Sequence, residues 1–461
     1  MSSIFEQAQA IVARSSRYQM YGTVTDVRGI IIEGTGPQVS VGSQVHITSG
    51  RTSFPAQVVG FRSDKVLLMP YGELQGILPG AQIVATGDSS QALASETLLG
   101  RVIDALGRPI DGMTALHHGN YVPLYRDPPD PLGRARITDP FDIGVRAINS
   151  FLTVGVGQRV GIMAGSGVGK STLMGMIAKH SESEVNVIAL VGERGREVRE
   201  FIERDLGPEG LERSVVVVAT GDQSPLERIR AAFLATSIAE FFRDRGKKVV
   251  LMVDSVTRLA MAQREIGLSI GEPPSTKGYT PSVFAMLPKL LERAGNDSGK
   301  GSITGLYTVL VEGDDMNEPI ADAVRGILDG HIVLSRRLAN RGHYPAIEVL
   351  ESVSRVMNEI VPEEIVELAN AGREILATYR EAEDLITIGA YKEGQNPKVD
   401  RAVQYIDPLN EFLQQKSKDK SDIATSWQHV AASFGLNLGV DQDGSIQLTV
   451  REQPQEQAAS A

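Results

Sequence analysis

The 461-residue sequence contains no cysteine. Disulfide bonds, thiolate metal sites and cysteine nucleophiles are therefore excluded from the chemistry of this chain. The 7 histidines are scattered without the spacing that a metal site requires. A chain without cysteine also suits a reducing compartment.

Long apolar runs and an excess of basic residues are missing as well. No apolar run reaches the roughly 18 residues that a membrane span needs. Residues 1–20 mix charged and apolar side chains, without the continuous apolar core of a secretory signal. Lys and Arg number 46 against 57 Asp and Glu, a formal net charge of -11. We therefore expect a cytoplasmic protein that crosses no bilayer and binds no nucleic acid.

The residue pattern divides the chain into segments of different character. Residues 21–92 alternate β-branched runs with glycines, which predicts a small β-barrel. Residues 93–357 alternate apolar strands with helical stretches, which is typical of an α/β domain with a largely parallel sheet. Residues 358–440 have the apolar spacing of helices and predict a C-terminal helical domain. Residues 1–20 form a separate N-terminal segment, and residues 441–461, rich in Gln and Ala, predict a flexible tail.

A glycine-rich segment lies between a predicted strand and a predicted helix of the α/β domain. It reads Ala164, Gly165, Ser166, Gly167, Val168, Gly169, Lys170, Ser171 and Thr172. This is the order of a P-loop, except that Ala164 stands where the motif has glycine. The glycines let backbone N–H groups turn towards one anion, and the helix N-terminus adds partial positive charge. The segment predicts a nucleotide site in which Lys170 neutralises the β- and γ-phosphates and Ser171 holds Mg²⁺.

Two carboxylates follow neighbouring apolar runs of the same domain. Asp254 ends the run that begins at Lys248, and at a strand end downstream of a P-loop we expect it to order Mg²⁺ through water. Glu193 follows the run that ends at Val191, which predicts the same sheet edge as the P-loop. Hydrolysis needs a group that orients and polarises the attacking water. From the residues alone, Glu193 is a candidate for that group, but pairing with a nearby surface arginine explains it better.

Further motifs accompany the P-loop and the two carboxylates. The set comprises residues 164–172, 192–198, 253–258, 278–284, 313–319, 343–347 and 352–357. Together they resemble the hexameric ATPases built like the α and β subunits of ATP synthase, and within them the type III export ATPases of flagella and injectisomes. The resemblance covers the chain from about residue 21 to about residue 412. It implies an α/β fold: a small N-terminal β-barrel, a central RecA-like parallel-sheet ATPase domain with the P-loop, and a C-terminal helical domain.

The resemblance also implies roles for single residues. Glu193 resembles the family's catalytic carboxylate, and Arg194 and Arg258 resemble arginines that lie close to the phosphates. Arg355 stands where the family carries an arginine finger that reaches into the neighbouring subunit; the alternative is a salt-bridged surface arginine. Tyr344 stands where family members stack the adenine ring, against the alternative of ordinary core packing.

Partners are a further implication of the resemblance. The family forms homohexamers around a stalk-like coiled-coil protein, and two polar loops of this sequence correspond to loops that face the channel and the stalk. The carboxylates of these loops that suit a basic stalk surface are Glu272, Asp314, Asp315 and Glu318. Residues Phe5 to Val12 have the spacing of a short amphipathic helix, which we expect to dock a regulatory dimer. The other expected partners are export gate membrane proteins, export substrates and their chaperones, at the cytoplasmic side of the inner membrane.

Four functions fit the motifs to different degrees. The first is a hexameric, Mg-dependent ATPase that energises type III export by unfolding substrates and delivering them to the gate. The second is a catalytic subunit of a rotary ATP synthase, and residues 384–391 resemble the export branch instead. The third, a non-catalytic ring subunit, is disfavoured because Lys170, Ser171, Glu193 and Arg258 are all present. The fourth, an RNA translocase, is disfavoured by the acidic charge and the absence of interleaved aromatic and basic residues in the barrel.

Overall fold

The structure is a computed structural model that describes residues 21–86, 91–115, 118–299, 301–311, 313, 315–440 and 446–450. The predicted N-terminal segment 1–20, with its expected regulator-binding helix, lies outside the described residues, and so does Asp314. Within the described ranges, no helix is long and apolar enough to cross a membrane.

The first described segment is a closed β-barrel with strand order β1-β2-β5-β4-β3-β6. Its strands are β1 (Tyr21–Arg28), β2 (Ile31–Thr35), β3 (Gln44–Ser49), β4 (Thr52–Arg62), β5 (Lys65–Pro70) and β6 (Gln82–Ala85). Successive side chains of a strand point to opposite faces, and Val24, Ile47 and Ile83 fill the barrel interior. The predicted β-barrel is confirmed.

A mainly parallel sheet follows the barrel. Its strands and the small pairs beside it are β7 (Gln91–Ala94), β8 (Arg101–Asp104), β9 (Asn120–Pro123), β10 (Pro140–Phe141), β11 (Val154–Gly155), β12 (Arg159–Ala164), β13 (Val185–Val191), β14 (Ser214–Ala219), β15 (Lys248–Asp254), β16 (Gly295–Asn296), β17 (Ser302–Leu310), β18 (Gly330–Leu334) and β19 (Val353–Ser354). The sheet order is β19-β18-β12-β17-β15-β13-β14-β8. Strands β8, β14, β13, β15, β17, β12 and β18 run parallel, and β19 is antiparallel at the edge. The carboxyl ends of β12, β13 and β15 therefore meet at one edge of the sheet.

Helices cover both faces of this sheet. The α-helices of the described residues are α1 (Arg146–Phe151), α2 (Lys170–His180), α3 (Gly195–Glu200), α4 (Gly207–Glu212), α5 (Pro225–Arg243), α6 (Val256–Ile270), α7 (Pro281–Leu291), α8 (Pro319–Ile327), α9 (Arg336–Asn340), α10 (Met357–Ile360), α11 (Glu363–Thr387), α12 (Pro397–Leu413) and α13 (Ile423–Ser433). Alternate residues of a strand serve opposite faces: Val187 packs into the core with α5, α6 and α7, and Ile188 into the core with α2. Parallel strands buried on both faces read as continuous apolar runs, as β13 and β14 do.

The C-terminal helices share a hydrophobic core with the sheet. Leu368 of α11, Leu409 of α12 and Trp427 of α13 belong to the same buried cluster as Ile162 of β12. The C-terminal segment is helical, as predicted. Its buried residues form one cluster with those on one face of the sheet.

Residues 441–461 were predicted to be a flexible tail, and the prediction is wrong for residues 446–450. That segment is strand β21 (Ile446–Val450), paired antiparallel with β20 (Leu436–Val440). It alternates apolar and polar residues, which is the period of a half-buried strand. Leu438 and Leu448 lie opposite each other and pack against the core of the C-terminal helices. The strand period decides the local structure, whereas the Gln and Ala content of the whole segment misled the prediction.

Candidate active site

The loop between β12 and α2 has the backbone geometry of an anion site. Gly167 and Gly169 have φ angles of 79° and 92°, in the left-handed region that glycine adopts without strain. Helix α2 begins at Lys170, directly after Gly169. The first N–H groups of a helix have no partner within it, and its dipole places partial positive charge there. The loop therefore presents backbone donors and positive potential to one anion.

Lys170 brings two carboxylates together beneath this loop. Its Nζ lies 3.3 Å from Oε1 of Glu193 and also contacts Oδ1 of Asp254. Burial lowers the pKa of Lys170, but the charges of Asp254 and Glu193 outweigh burial, so the pKa lies above its usual value. The Lys170 ammonium therefore stays charged, and it can leave the two carboxylates to bind phosphate oxygens.

Asp254 lies at the end of β15, under Lys170. Its side chain is 4% exposed. The hydroxyl of Thr308, on the adjacent strand β17, donates a 2.6 Å hydrogen bond to Oδ1 of Asp254. Thr308 was not predicted as a site residue, although a hydroxyl inside an apolar strand next to a strand-end aspartate is a detectable signal.

Glu193 follows β13 at the same sheet edge. Its side chain is 17% exposed, and burial raises the pKa of its carboxyl, while Lys170 opposes that shift. A hydrogen bond with Glu193 lowers the pKa of Glu197. A carboxylate with a pKa nearer to neutrality is a better proton acceptor at physiological pH. Glu193 therefore has the environment of a group that polarises water.

The two predicted phosphate arginines differ in their surroundings. Arg194 is 84% exposed and lies 3.2 Å from Oε1 of Glu197 at the rim of the site. Arg258, at the start of α6, packs its side chain against Gly192. The buried Nε of Arg258 has no hydrogen-bond partner in the part of the chain that the structure describes. A buried donor without an acceptor is rare in folded proteins, and here it fits an anionic ligand.

Lys170, Glu193, Arg194 and Arg258 line a cleft of about 490 Å³, within the range of small-molecule sites. Asp254 lies beneath Lys170 and is not among the residues that line the cleft. The predicted residues that line it are Ala164, Gly165, Ser166, Gly167, Gly169, Lys170, Ser171, Thr172, Glu193, Arg194 and Arg258. Val168 is buried behind the loop. Arg204 and Arg336 also line the cleft and were not predicted. Arg336 follows the carboxyl end of β18, so its strand-end position was the available signal.

Tyr344 lies beside the P-loop. A β-carbon at Gly169 would lie 3.5 Å from the Tyr344 ring, so the ring packs next to this glycine. Tyr344 is 45% exposed, which does not fit the alternative of core packing. Its backbone oxygen accepts a hydrogen bond from the N–H of Gln415, after α12. The ring therefore lies beside the P-loop and is partly exposed, although Tyr344 is not among the residues that line the cleft.

Arg355 lies far from the P-loop of its own chain. Its backbone N–H donates to the backbone oxygen of Asp329, and the N–H of Asp329 donates to the backbone oxygen of Arg159 at the start of β12. The P-loop follows the other end of β12, at Ala164. Arg355 is exposed, and its Nη2 donates to the backbone oxygen of Arg325. It has no ion pair with the cleft residues described above.

The oxygen donors present fit magnesium. Ser171 offers a hydroxyl and Asp254 a carboxylate, and Mg²⁺ prefers oxygen ligands, of which the protein commonly supplies few beside phosphates and water. Among the described residues, no group of three or more His, Cys, Asp or Glu side chains could hold a metal by itself. The site therefore suits a metal that arrives with the nucleotide.

Two of the carboxylates expected to face a stalk are used inside the fold. Glu272 accepts hydrogen bonds from the N–H and the hydroxyl of Ser282, at the start of α7. Glu318 caps α8 by accepting from the N–H groups of Ile320 and Ala321. Asp315 is exposed, and its Oδ2 lies 3.4 Å from Nζ of Lys277. Glu272 and Glu318 thus stabilise helix starts, and the expected contact of these loops with a basic stalk stays a prediction.

Comparison with known proteins adds the family. Residues 144–354 match the ATP synthase alpha/beta family, nucleotide-binding domain, and residues 361–432 match the T3SS EscN ATPase C-terminal domain. A flagellum-specific ATP synthase of Bacillus subtilis (strain 168) is 57% identical over 408 residues, which cover 88% of this chain and 93% of the relative. This chain belongs to the export ATPase family, which includes the flagellum-specific ATP synthases and the type 3 secretion system ATPases.

Other members of the export ATPase family agree in sequence and in structure. A type 3 secretion system ATPase of Xanthomonas euvesicatoria is 48% identical over 423 residues, 91% of this chain and 95% of the relative. The assembled ATPase EscN of the enteropathogenic E. coli type III secretion system has a TM-score of 0.84 and 45% identity, covering 89% of this chain and 99% of that chain. EscN in complex with its central stalk EscO has a TM-score of 0.83 and 45% identity, with the same coverage. The predicted fold class and the predicted family are confirmed.

Proposed function

We propose that the protein hydrolyses ATP to ADP and phosphate in the cleft beside the P-loop, and that this hydrolysis energises type III protein export. The observation that carries the proposal is the cluster in which Lys170 joins Asp254 and Glu193 under a loop built to bind an anion. In a ligand-free site the lysine neutralises the two carboxylates. When ATP binds, the Lys170 ammonium binds phosphate oxygens, and both carboxylates become available for catalysis.

Each group in the cleft then has one task. Backbone N–H groups of residues 165–171 and the Lys170 ammonium bind the phosphates. Ser171 would hold Mg²⁺ and Asp254 would order it through water, and the ion would neutralise charge on the phosphate oxygens. Glu193 orients the attacking water and accepts its proton. Arg258, and Arg194 from the rim, stabilise the charge on the phosphates.

The catalytic site is completed by a second copy of the chain. Arg355 lies at the opposite end of β12 from its own P-loop and is exposed, which supports a role towards a neighbouring subunit. EscN is a relative whose assembled form is known, and we propose a homohexamer in which Arg355 of one protomer enters the cleft of the next. A guanidinium so placed stabilises the charge that develops on the transferred phosphoryl group.

The other proposed partners follow from the family. EscN forms a complex with its central stalk EscO, and we propose that a coiled-coil stalk protein occupies the centre of this ring. Residues 1–20 are proposed to bind a regulatory dimer. The further proposed partners are export substrates, their chaperones and the gate membrane proteins. With these partners, the proposed location of the ring is the cytoplasm, at the inner-membrane export apparatus.

The position of Tyr344 gives a prediction about how much the adenine base contributes to ATP affinity. Tyr344→Ala is expected to weaken ATP binding about 10-fold, because stacking of a base on an aromatic ring contributes about 1–3 kcal/mol. Tyr344→Phe keeps the ring and should bind ATP as the wild type does. Titration calorimetry with ATP and with tripolyphosphate measures the effect, and tripolyphosphate, which has no base, should bind all three proteins equally. Equal ATP affinity in Tyr344→Ala would show that the ring does not touch the base.

The proposed assembly makes ATPase activity depend on protein concentration. Since a site needs Arg355 of a neighbour, activity per chain should rise as monomers associate, and total activity should rise more than linearly with concentration. Phosphate release measured over a dilution series, with mass photometry at each concentration, checks this. Constant activity per chain across the change from monomer to ring would contradict the shared site.

A further inference from the structure

Thr308 places a hydroxyl inside β17, where its side chain is fully buried. The neighbouring strand residues Leu306 and Val309 are apolar and also buried. A buried hydroxyl requires a hydrogen-bond partner, whereas valine has nearly the same shape and requires none. The partner of this hydroxyl is therefore the feature that distinguishes threonine from valine at this position.

That partner is the carboxylate of Asp254. The hydroxyl donates to Oδ1 of Asp254 at 2.6 Å, and its other acceptor, the backbone oxygen of Val253, is 3.4 Å away. The first distance lies in the range of strong hydrogen bonds to a charged oxygen. Register explains the contact, because Val253 and Tyr307 are paired on the parallel strands β15 and β17, and Asp254 and Thr308 are the next residues on each.

Lys170 contacts the same carboxylate oxygen. In the proposed reaction the lysine moves to the phosphates, so that Asp254 loses this partner when the nucleotide binds. The Thr308 hydroxyl cannot move away with Lys170, because Thr308 is β-branched and lies within a central strand of the sheet. Its hydrogen bond is the contact that persists through the change.

We propose that Thr308 is a positioning residue, whose hydroxyl holds the Asp254 carboxylate in the orientation that binds magnesium with the nucleotide after Lys170 has left it. This inference rests on the proposed function, because it assigns Asp254 to Mg²⁺. It concerns the affinity for the Mg²⁺ complex of the nucleotide and leaves contacts between nucleotide and P-loop unchanged.

The test compares the affinity for the ATP analogue AMP-PNP in excess magnesium with its affinity in EDTA, by titration calorimetry on the full chain. Loss of a hydrogen bond that orients a metal-binding side chain typically costs 10-fold or more in metal affinity, so we expect the magnesium-dependent gain to fall about 10-fold in Thr308→Val. The affinity in EDTA should not change. Thr308→Ser restores the hydroxyl and should restore the gain.

Thr304→Val is the matched control. Thr304 is also fully buried on β17, and its hydroxyl accepts a 3.0 Å hydrogen bond from the N–H of Gly157, away from Asp254. This variant should lower the unfolding temperature about as much as Thr308→Val and keep the full magnesium-dependent gain. If Thr308→Val does not fold, Thr308→Ala replaces it with the same expectation.

The outcomes separate this inference from the proposed function. A wild-type gain in Thr308→Val, a reduced gain in Thr308→Ser, or an equal reduction in Thr304→Val would each overturn the role of Thr308. If the wild-type protein shows no magnesium-dependent gain, or if Asp254→Ala keeps it, the assignment of Asp254 fails first. The expected pattern is a gain that is large in the wild type, absent in Asp254→Ala and reduced in Thr308→Val alone among the threonine variants.

Discussion

Arg355→Ala is expected to lower the ATPase activity of the assembled ring about 1000-fold, because an arginine that enters a phosphoryl-transfer site from a neighbouring subunit contributes at least that factor. The effect should fall on kcat, since the guanidinium meets charge that develops only in the transition state. ATP affinity and folding should change little, because Arg355 is exposed and its side chain bonds only the backbone oxygen of Arg325 among the contacts described above.

Steady-state kinetics with the ring verified by light scattering measures this effect. Arg28→Ala is the matched control, since Arg28 is another exposed arginine, 67% exposed, paired with Asp26 on the barrel. It should keep wild-type kcat. A ring of Arg355→Ala that retains kcat within about 3-fold of the wild type would remove this arginine from phosphoryl transfer.

Glu193→Gln is expected to lower kcat about 100-fold or more, because the amide cannot accept a proton from the attacking water. ATP should still bind, since glutamine keeps the shape of the side chain and Lys170 remains available to the phosphates. Lys170→Ala should behave differently. It removes the charge that binds the phosphates and leaves Glu193 and Asp254 without their shared cation, so both ATP affinity and turnover should fall.

Rapid-quench kinetics separates binding from the chemical step in these two variants. In Glu193→Gln, bound ATP should persist without hydrolysis, while Lys170→Ala should show little bound ATP at the same concentration. Near-normal phosphate release in Glu193→Gln would show that another group polarises the water. The first candidate would be Glu197, which shares a hydrogen bond with Glu193.

The parts of the site that depend on strand ends were predictable from the sequence. In a parallel sheet the carboxyl ends of the strands meet at one edge, so an apolar run followed by a polar residue predicts both the strand and the place of that residue. Asp254 and Glu193 were found in this way, and the P-loop by its residue order. For Glu193 the residues alone favoured a pair with a surface arginine, and only the family resemblance predicted a catalytic carboxylate.

The parts that depend on contacts between distant residues could not be predicted. The hydrogen bond of Thr308 requires the register of β15 and β17, and the contact of Tyr344 with Gly169 requires the turn after α9 to fold back on the P-loop. Glu272 looks like a free loop carboxylate until Ser282 is placed against it. Which partner a polar side chain finds is decided by tertiary structure, and no local pattern contains that information.

The central claim is that ATP is hydrolysed in a site shared by the P-loop of one subunit and Arg355 of the next. Mixing two inactive variants tests it most directly. A Lys170→Ala chain still supplies Arg355, and an Arg355→Ala chain still supplies the P-loop, so mixed rings contain some interfaces in which both parts are intact. We predict that mixed rings regain part of the ATPase activity, and that a chain carrying both substitutions rescues neither single variant. If rings shown to contain both single variants stay as inactive as either alone, and activity on adding wild-type chains simply follows the wild-type fraction, Arg355 acts within its own subunit and the claim is contradicted.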